Sequence, residues 1–137
     1  MSCSVRFVCI NDVYEIDYLP HFSTCVKGNK AKDSSSNKTI AVLPGDFVAP
    51  SLLSSLDKGA GMVRCLNLSN LDYVAIGNHE SDIELNQLHC RMRESTFKWI
   101  NSNMPDLPLP EDIKLPRYEI IELQHGSSVK KIALVGM

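Results

Sequence analysis

Three short polar segments, each directly after an apolar run, constrain the fold of this 137-residue chain more than any other feature. Short apolar runs that end at a turn former are typical of buried strands. The runs cover residues 5–10, 40–43 and 73–76, and the polar segments cover residues 11–14, 45–46 and 77–80. Because ligands of an open α/β sheet bind at the carboxyl ends of its strands, we expect the polar residues to meet at one edge. They are Asp12, Asp46, Asn78 and His79, a set that predicts a hydrolytic metal centre.

The rest of the chain predicts an alternation of helices with these strands. The expected helices cover residues 18–26, 51–59, 62–68 and 83–101, with Met62, Val63, Leu66 and Leu68 on the apolar side of the third. Residues 28–39 and the proline-rich residues 103–116 are expected to be loops. Residues 118–123 and 131–135 predict a final hairpin. The fold class is therefore α/β, with a mostly parallel sheet and an antiparallel C-terminal hairpin.

Composition excludes two classes of partner. The chain is 44% hydrophobic and 22% charged with a formal net charge of -2, which is ordinary for a soluble domain and not basic enough for nucleic acid. No apolar stretch approaches the roughly 20 residues of a membrane span, and no signal peptide is recognisable. We therefore expect neither nucleic acid nor a membrane as a partner.

The cysteines predict the redox compartment. There are five, an odd number, and no two are spaced as Cys-x-x-Cys. Cys9 falls within the first predicted strand and is expected in the core. We therefore expect free thiols in a reducing compartment, the cytoplasm, with neither a disulfide framework nor a structural zinc.

No single polar segment is specific. An Asn-Asp pair after a strand usually forms a turn, because both side chains bond to the local backbone. Gly-Asp and Gly-Asn-His segments also occur more often in plain loops than in ligand sets. The functional argument depends on all three segments following three strands in this order.

On these residues the chain resembles the N-terminal part of a calcineurin-like metallophosphoesterase domain of the 5'-nucleotidase type. The resemblance is carried by residues 7–14, 44–51, 58–59 and 76–82. Residues 129–137 also resemble the strand before the family's next motif. The resemblance implies a partial four-layer α/β-β/α sandwich, with residues 1–137 as the N-terminal part of a longer domain.

The resemblance also implies two divalent metal ions, Mn, Mg or Zn, and assigns their ligands. Asp12 and Tyr14 would hold the first ion, although the family usually has a histidine where Tyr14 stands. Asp46 would bridge the two ions, since a carboxylate has two oxygens and a charge. Asn78 would hold the second ion. A neutral phenol is a poor ligand, so the first site is either weakened or completed otherwise.

Two further residues would carry the chemistry in this family. His79 would contact the phosphate and stabilise or protonate the leaving group. Asp82 would orient His79, because a histidine held by a carboxylate keeps one tautomer. The implied substrate is a nucleotide or another phosphate ester.

Later family motifs are missing, and two functions stay open as a result. The Gly-His and Gly-His-x-His/Gln segments do not occur, and the other histidines are His21, His89 and His125. His21 and His89 are expected at the surface. A missing C-terminal portion would then complete the metal site and recognise the nucleotide. The alternative is a degenerate, non-catalytic binding module or an inactive fragment.

Overall fold

The computed structural model describes residues 3–137, in which strands and helices alternate as an α/β fold requires. The elements are β1 (Ser4–Cys9), α1 (Leu19–Lys30), β2 (Asn37–Leu43), α2 (Leu52–Asp57), α3 (Ala60–Asn67), β3 (Tyr73–Ala75), a 3-10 helix (Asn78–Asp82), α4 (Leu85–Glu94), β4 (Lys98–Ile100), β5 (Tyr118–His125) and β6 (Ser128–Val135).

The first four strands form a parallel sheet in the order β1-β2-β3-β4, and β5 and β6 form an antiparallel hairpin. In register, Phe7 pairs with Ile40, and Val42 pairs with Tyr73. A parallel sheet needs a crossover between neighbouring strands, and the helices supply it. The predicted fold class, a mostly parallel sheet with a C-terminal hairpin, is confirmed.

The helices pack on one face of the parallel sheet. Leu43 pairs with Val74, and Val74 pairs with Trp99, so these side chains stand in a row across three strands. They belong to one buried cluster together with residues of α1, α3 and α4. The helical members include Val26, Met62, Val63, Leu66, Leu88 and Met92. Burial of this apolar surface is the main force that holds the sheet and helices together.

The hairpin lies against the other face of the sheet. Gly136, directly after β6, is so close to this face that a Cβ on it would lie 2.7 Å from Ile100 O and 3.2 Å from the Ala75 Cβ. The Ser102 N–H donates to Gly136 O at 2.8 Å. Lys98 of β4 also forms an ion pair with Glu119 of β5 at 2.5 Å. The contacts of the hairpin thus lie at the β3 and β4 side of the sheet.

The expectation of one helix over residues 83–101 is wrong. α4 ends earlier, and β4 follows after a short turn. Ser95 ends the helix with an extended backbone (ψ 136°), and its side chain donates to Arg91 O at 2.7 Å. The Ser95 hydroxyl also accepts from Trp99 Nε1 at 3.1 Å, which fixes the indole in the core from a strand.

The expectation of a buried first strand is also wrong. All six residues of β1 are half-buried or exposed, and Cys9 is exposed. Phe7 keeps 43% of its surface exposed. β1 is an edge strand that pairs only with β2. β4, at the opposite edge, is buried at Trp99 and Ile100, so β1 is exposed because it also lacks the cover that β4 has. All five cysteines are free thiols.

α1 is longer than predicted and the loop after it is correspondingly shorter. The helix passes the expected end at residue 26 and reaches Lys30, and β2 begins at Asn37. The Lys30 ammonium lies 2.6 Å from Asp72 Oδ1 and donates to Asn70 O at 3.0 Å. A cation in the last turn also complements the helix dipole. Among residues 3–137, no helix has both the length and the apolar character needed to cross a bilayer.

Leu66 and Leu68 provide a matched test of α3. Met62, Val63 and Leu66 are buried as expected, but Leu68 is the residue after the helix end and is 78% exposed. Leu66→Ala should lower the free energy of unfolding by about 2–5 kcal/mol, because it removes a fully buried side chain. Leu68→Ala should change it by less than about 0.5 kcal/mol. Urea denaturation followed by circular dichroism measures both, and equal effects would contradict this placement of α3.

Candidate metal centre

The loops that follow β1, β2 and β3 contact one another. The Val13 N–H donates to Asp46 O at 2.9 Å, which joins the first loop to the second. The His79 N–H donates to Asp46 Oδ1 at 2.8 Å, which joins the second loop to the third. The rings of Tyr14 and His79 meet edge to face with centroids 5.8 Å apart, which joins the first loop to the third. The three polar segments therefore lie together at the carboxyl edge of the sheet.

Asp12 presents a carboxylate that its own loop holds in place. Its backbone is left-handed, with φ 53°. Oδ2 accepts from Asn11 Nδ2 at 2.5 Å, and Oδ1 accepts from the Tyr14 hydroxyl at 2.8 Å. These bonds, first that from Asn11 and then that from Tyr14, lower the pKa of the Asp12 carboxyl. Each carboxylate oxygen has two acceptor positions, so both keep one for a further ligand.

Asp46 lies where the second loop approaches the third most closely. Its backbone is also left-handed, with φ 61°. A Cβ on Gly77 would lie 2.3 Å from Asp46 Oδ1, and a Cβ on Gly45 would lie 2.3 Å from Gly77 N. Both positions therefore require glycine. Phe47 anchors this loop, because its ring is buried with its centroid 5.2 Å from that of Trp99.

Glu80 holds the second and third loops together, a role that the sequence did not reveal. Its side chain is 0% exposed. Oε2 accepts from the N–H groups of Asp46 at 2.9 Å and Gly77 at 2.6 Å. Oε1 accepts from the N–H groups of Phe47 at 2.9 Å and Val48 at 3.3 Å. The only sequence signal was its place beside His79 in the third polar segment.

His79 and Asp82 form a hydrogen-bonded pair within the 3-10 helix. His79 Nδ1 lies 2.6 Å from Asp82 Oδ2, and both side chains are partly exposed. The hydrogen bond to Asp82 is the main reason that the pKa of the His79 imidazole is raised, and the charges of Asp46 and Glu80 add to it. With Nδ1 held by Asp82, Nε2 is the nitrogen left for another group.

Tyr14 contacts the candidate ligands through a hydrogen bond to Asp12. Because its hydroxyl donates to Asp12 Oδ1, the pKa of Tyr14 is raised to about 12, with further contributions from burial and the charge of Asp12. The phenol is therefore neutral near pH 7 and acts as a donor. Its predicted role as a metal ligand stays a prediction.

The remaining predicted residues lie as follows. Asn78 begins the 3-10 helix and is exposed at the carboxyl side of β3. The other histidines belong to different elements. His21 is exposed on α1, His89 on α4 is half-buried with Nε2 3.0 Å from Pro108 O, and His125 ends β5.

The donor types fit a hard divalent cation. Asp12 and Asp46 supply carboxylates and Asn78 an amide oxygen, which suit Mg²⁺ or Mn²⁺ better than Zn²⁺. Among residues 3–137, no three His, Cys, Asp or Glu side chains are grouped as a metal site. The predicted ligand set has only two carboxylates. Its fit to a divalent cation is therefore argued from the oxygen donors and from the close packing of the loops at Gly77.

Comparison of sequences identifies no relative. No protein-family model matches the chain, and no curated protein matches it significantly.

Comparison of structures identifies the fold. A NAD nucleotidase of Haemophilus influenzae matches with a TM-score of 0.76 and 18% identity, over 96% of this chain and 28% of that one. A 5'-nucleotidase precursor of Thermus thermophilus matches with a TM-score of 0.68 and 16% identity, again over 96% and 28%. A sulfate thiohydrolase of the same organism matches with a TM-score of 0.64 and 20% identity, over 83% and 20%.

These matches confirm the predicted fold, which the chain shares with part of each of the two nucleotidases. The chain spans about 28% of the length of the two nucleotidases. At identities of 16% to 20% the likeness establishes the fold and leaves the reaction to be argued from the site.

The His79–Asp82 pair predicts a measurable pKa shift. In the metal-free chain, NMR titration of His79 should give a pKa above that of an ordinary histidine, because the Asp82 hydrogen bond favours the charged imidazole. Asp82→Asn should lower this pKa, whereas Asp112→Asn, which removes the carboxylate that pairs with Arg93, should leave it unchanged. A His79 titration that is identical with and without the Asp82 carboxylate would contradict the pairing.

Proposed function

We propose that this chain forms the first part of a metal-dependent phosphoester hydrolase of the 5'-nucleotidase type, which acts on nucleotides through a two-metal centre. The observation that carries the proposal is the position of Asp46. Asp46 bonds to both neighbouring loops: its carboxylate accepts from the His79 N–H of the loop after β3 at 2.8 Å, and its backbone O accepts from the Val13 N–H of the loop after β1. A bridging carboxylate needs such a central position.

Asp12, Asp46 and Asn78 are the residues that would hold the two ions, with Asp46 shared between them. When bound, the two ions would polarise the phosphoryl group and provide hydroxide at neutral pH. Asp12 is suited to this role because hydrogen bonds from Asn11 and Tyr14 lower the pKa of its carboxyl. An ionised oxygen donor is the form that a divalent cation binds.

His79 would act on the leaving group. Asp82 fixes Nδ1, so the imidazole presents Nε2 outward and carries its proton more readily than an ordinary histidine. A proton at Nε2 can neutralise the alkoxide that departs when the phosphoester bond breaks. Asp82 acts through His79 and is a positioning residue.

The nucleotide would be recognised by protein outside these residues. The chain covers 28% of the length of the nucleotidases that share its fold, and its site has oxygen donors and one imidazole. We expect imidazole ligands and base-binding residues to come from outside these 137 residues. The 137-residue chain alone should therefore show no robust hydrolysis of AMP.

A non-catalytic binding module is the alternative, and one observation favours it. The Tyr14 hydroxyl donates a hydrogen bond to Asp12 and has a pKa raised to about 12, so it occupies an acceptor position of Asp12 and does not supply an imidazole. A module of this kind would not depend on a shared metal site. Metal affinity therefore separates the two functions.

Asp46→Asn tests the shared site. The isolated chain should bind Mn²⁺ weakly in titration calorimetry. Asp46→Asn should weaken this binding at least about tenfold, since even the partners of metal ligands contribute about 10–100-fold. The amide oxygen still accepts from the His79 N–H, so the fold should persist.

Asp112→Asn is the matched control, because Asp112 is a surface carboxylate that pairs with Arg93. Its Mn²⁺ affinity should equal that of the wild type. If wild type and Asp46→Asn bind Mn²⁺ equally, or if the wild type does not bind it, the metal-centre proposal is contradicted and the binding module is favoured.

Tyr14 variants test the first ion. Tyr14→His should raise Mn²⁺ affinity, because a neutral imidazole is a better ligand than a phenol. Tyr14→Phe is the control, since it removes the hydrogen bond to Asp12 Oδ1 without adding a donor. Calorimetric affinities that rise equally in both variants would show that release of Asp12, and not a new ligand, is responsible.

A further inference from the structure

Glu80 is a buried carboxylate that bonds only to the backbone of the two central site loops. Its side chain is 0% exposed. It accepts four N–H bonds, from Asp46, Phe47, Val48 and Gly77. Among the ion pairs formed by residues 3–137, none involves Glu80. A buried carboxylate is costly unless it is fully hydrogen-bonded, so the four donors are what make its burial possible.

The bonds of Glu80 run across the site. Glu80 belongs to the loop after β3, whereas Asp46, Phe47 and Val48 belong to the loop after β2. In the opposite direction, Asp46 Oδ1 accepts from the His79 N–H of the loop after β3. Each loop thus presents one carboxylate to the backbone of the other. We call these reciprocal bonds the Glu80 clamp.

From this geometry we infer that Glu80 is a positioning residue that sets the distance between Asp46 and Asn78, and thereby the metal affinity of the site. The inference rests on the proposed function. Two features require such a residue. Asp46 has a left-handed backbone, which is unfavourable for a non-glycine residue unless neighbouring bonds hold it. A Cβ on Gly77 would lie 2.3 Å from Asp46 Oδ1, so the two loops are in direct contact there, and the Gly77 N–H in this contact bonds to Glu80 Oε2 at 2.6 Å.

Substitution by glutamine breaks the clamp without changing its size. Glu80→Gln replaces one acceptor oxygen by an NH2 group, which then faces two backbone N–H donors. The two central loops should separate locally while the apolar core that packs around Phe47 stays intact. Removal of partners that orient metal ligands typically costs 10–100-fold in metal affinity. We therefore expect Glu80→Gln to bind Mn²⁺ at least about tenfold more weakly than the wild type.

Asp72→Asn is the matched control for a purely structural effect. Asp72 is also a carboxylate that accepts a backbone bond, from the Ala41 N–H at 2.8 Å, and it pairs with Lys30. It directly precedes β3, and its bonds go to β2 and α1 and not to the loops that carry the site. Asp72→Asn should lower the thermal unfolding midpoint but leave Mn²⁺ affinity within about twofold. Glu80→Asp, which keeps both acceptor oxygens on a shorter side chain, should restore part of the affinity.

Titration calorimetry with MnCl2 on the folded chain measures these affinities, and circular dichroism checks folding. A folded Glu80→Gln variant with wild-type Mn²⁺ affinity overturns the inference while leaving the proposed function intact. A wild type without Mn²⁺ binding overturns the proposed function and the clamp's role in metal binding together.

Hydrogen exchange keeps the inference testable if Glu80→Gln does not fold. In the wild-type chain the amides of Asp46 and Gly77 should exchange slowly, at rates near those of β2. Exchange as fast as that of the exposed amides around Ser35 would overturn the clamp. This measurement needs neither metal nor a variant.

Discussion

The closeness of the loops after β2 and β3 is the constraint on which the site depends. A Cβ at Gly45 would lie 2.3 Å from Gly77 N, so the two backbones touch where side chains would normally separate them. This contact is possible because β2 and β3 are parallel neighbours whose carboxyl ends face the same way. It brings the N–H groups of Gly77 and His79 into the contact, where the carboxylates of Glu80 and Asp46 accept their hydrogen bonds. The packing of the fold and the arrangement of the candidate ligands therefore have one physical cause.

The strands with the strongest sequence signal were also those that define the site. Residues 73–76 predicted β3 nearly as observed, and residues 40–43 predicted the carboxyl half of β2, because short apolar runs before a turn are typical of buried strands. The hairpin was predicted for the same reason. Which loops meet followed from the parallel topology, since Asp12, Asp46 and Asn78 follow successive strands.

Other features depended on tertiary contacts that no local pattern contains. The end of α4 at Ser95 is set by a hydroxyl that bonds both to Arg91 O and to the Trp99 indole, and only the packed core brings Trp99 there. β1 is apolar in sequence yet exposed, because its place at the sheet edge is a matter of topology. The Glu80 clamp could likewise not be predicted from the sequence, because all but one of the N–H donors to Glu80 lie in the loop after β2, far from Glu80 along the chain.

Backbone strain alone would not have located the site. Asp12, Asp46, Lys58 and Asn70 all have positive φ values. Lys58 follows the end of α2 with φ 56°, a common way to end a helix, and its side chain makes only a local bond to Ser55 O. Asp12 and Asp46 differ because hydrogen bonds hold their carboxylates, from Asn11 and Tyr14 to Asp12 and from the His79 N–H to Asp46, while oxygen positions remain for a ligand. A strained residue of this type costs about 1 kcal/mol or more. The folded structure tolerates that cost only where surrounding bonds fix the backbone of the strained residue. At Asp46 these are the bond to Glu80 and the close loop contact that Gly45 and Gly77 allow, so any chemistry that uses the Asp46 carboxylate depends on them.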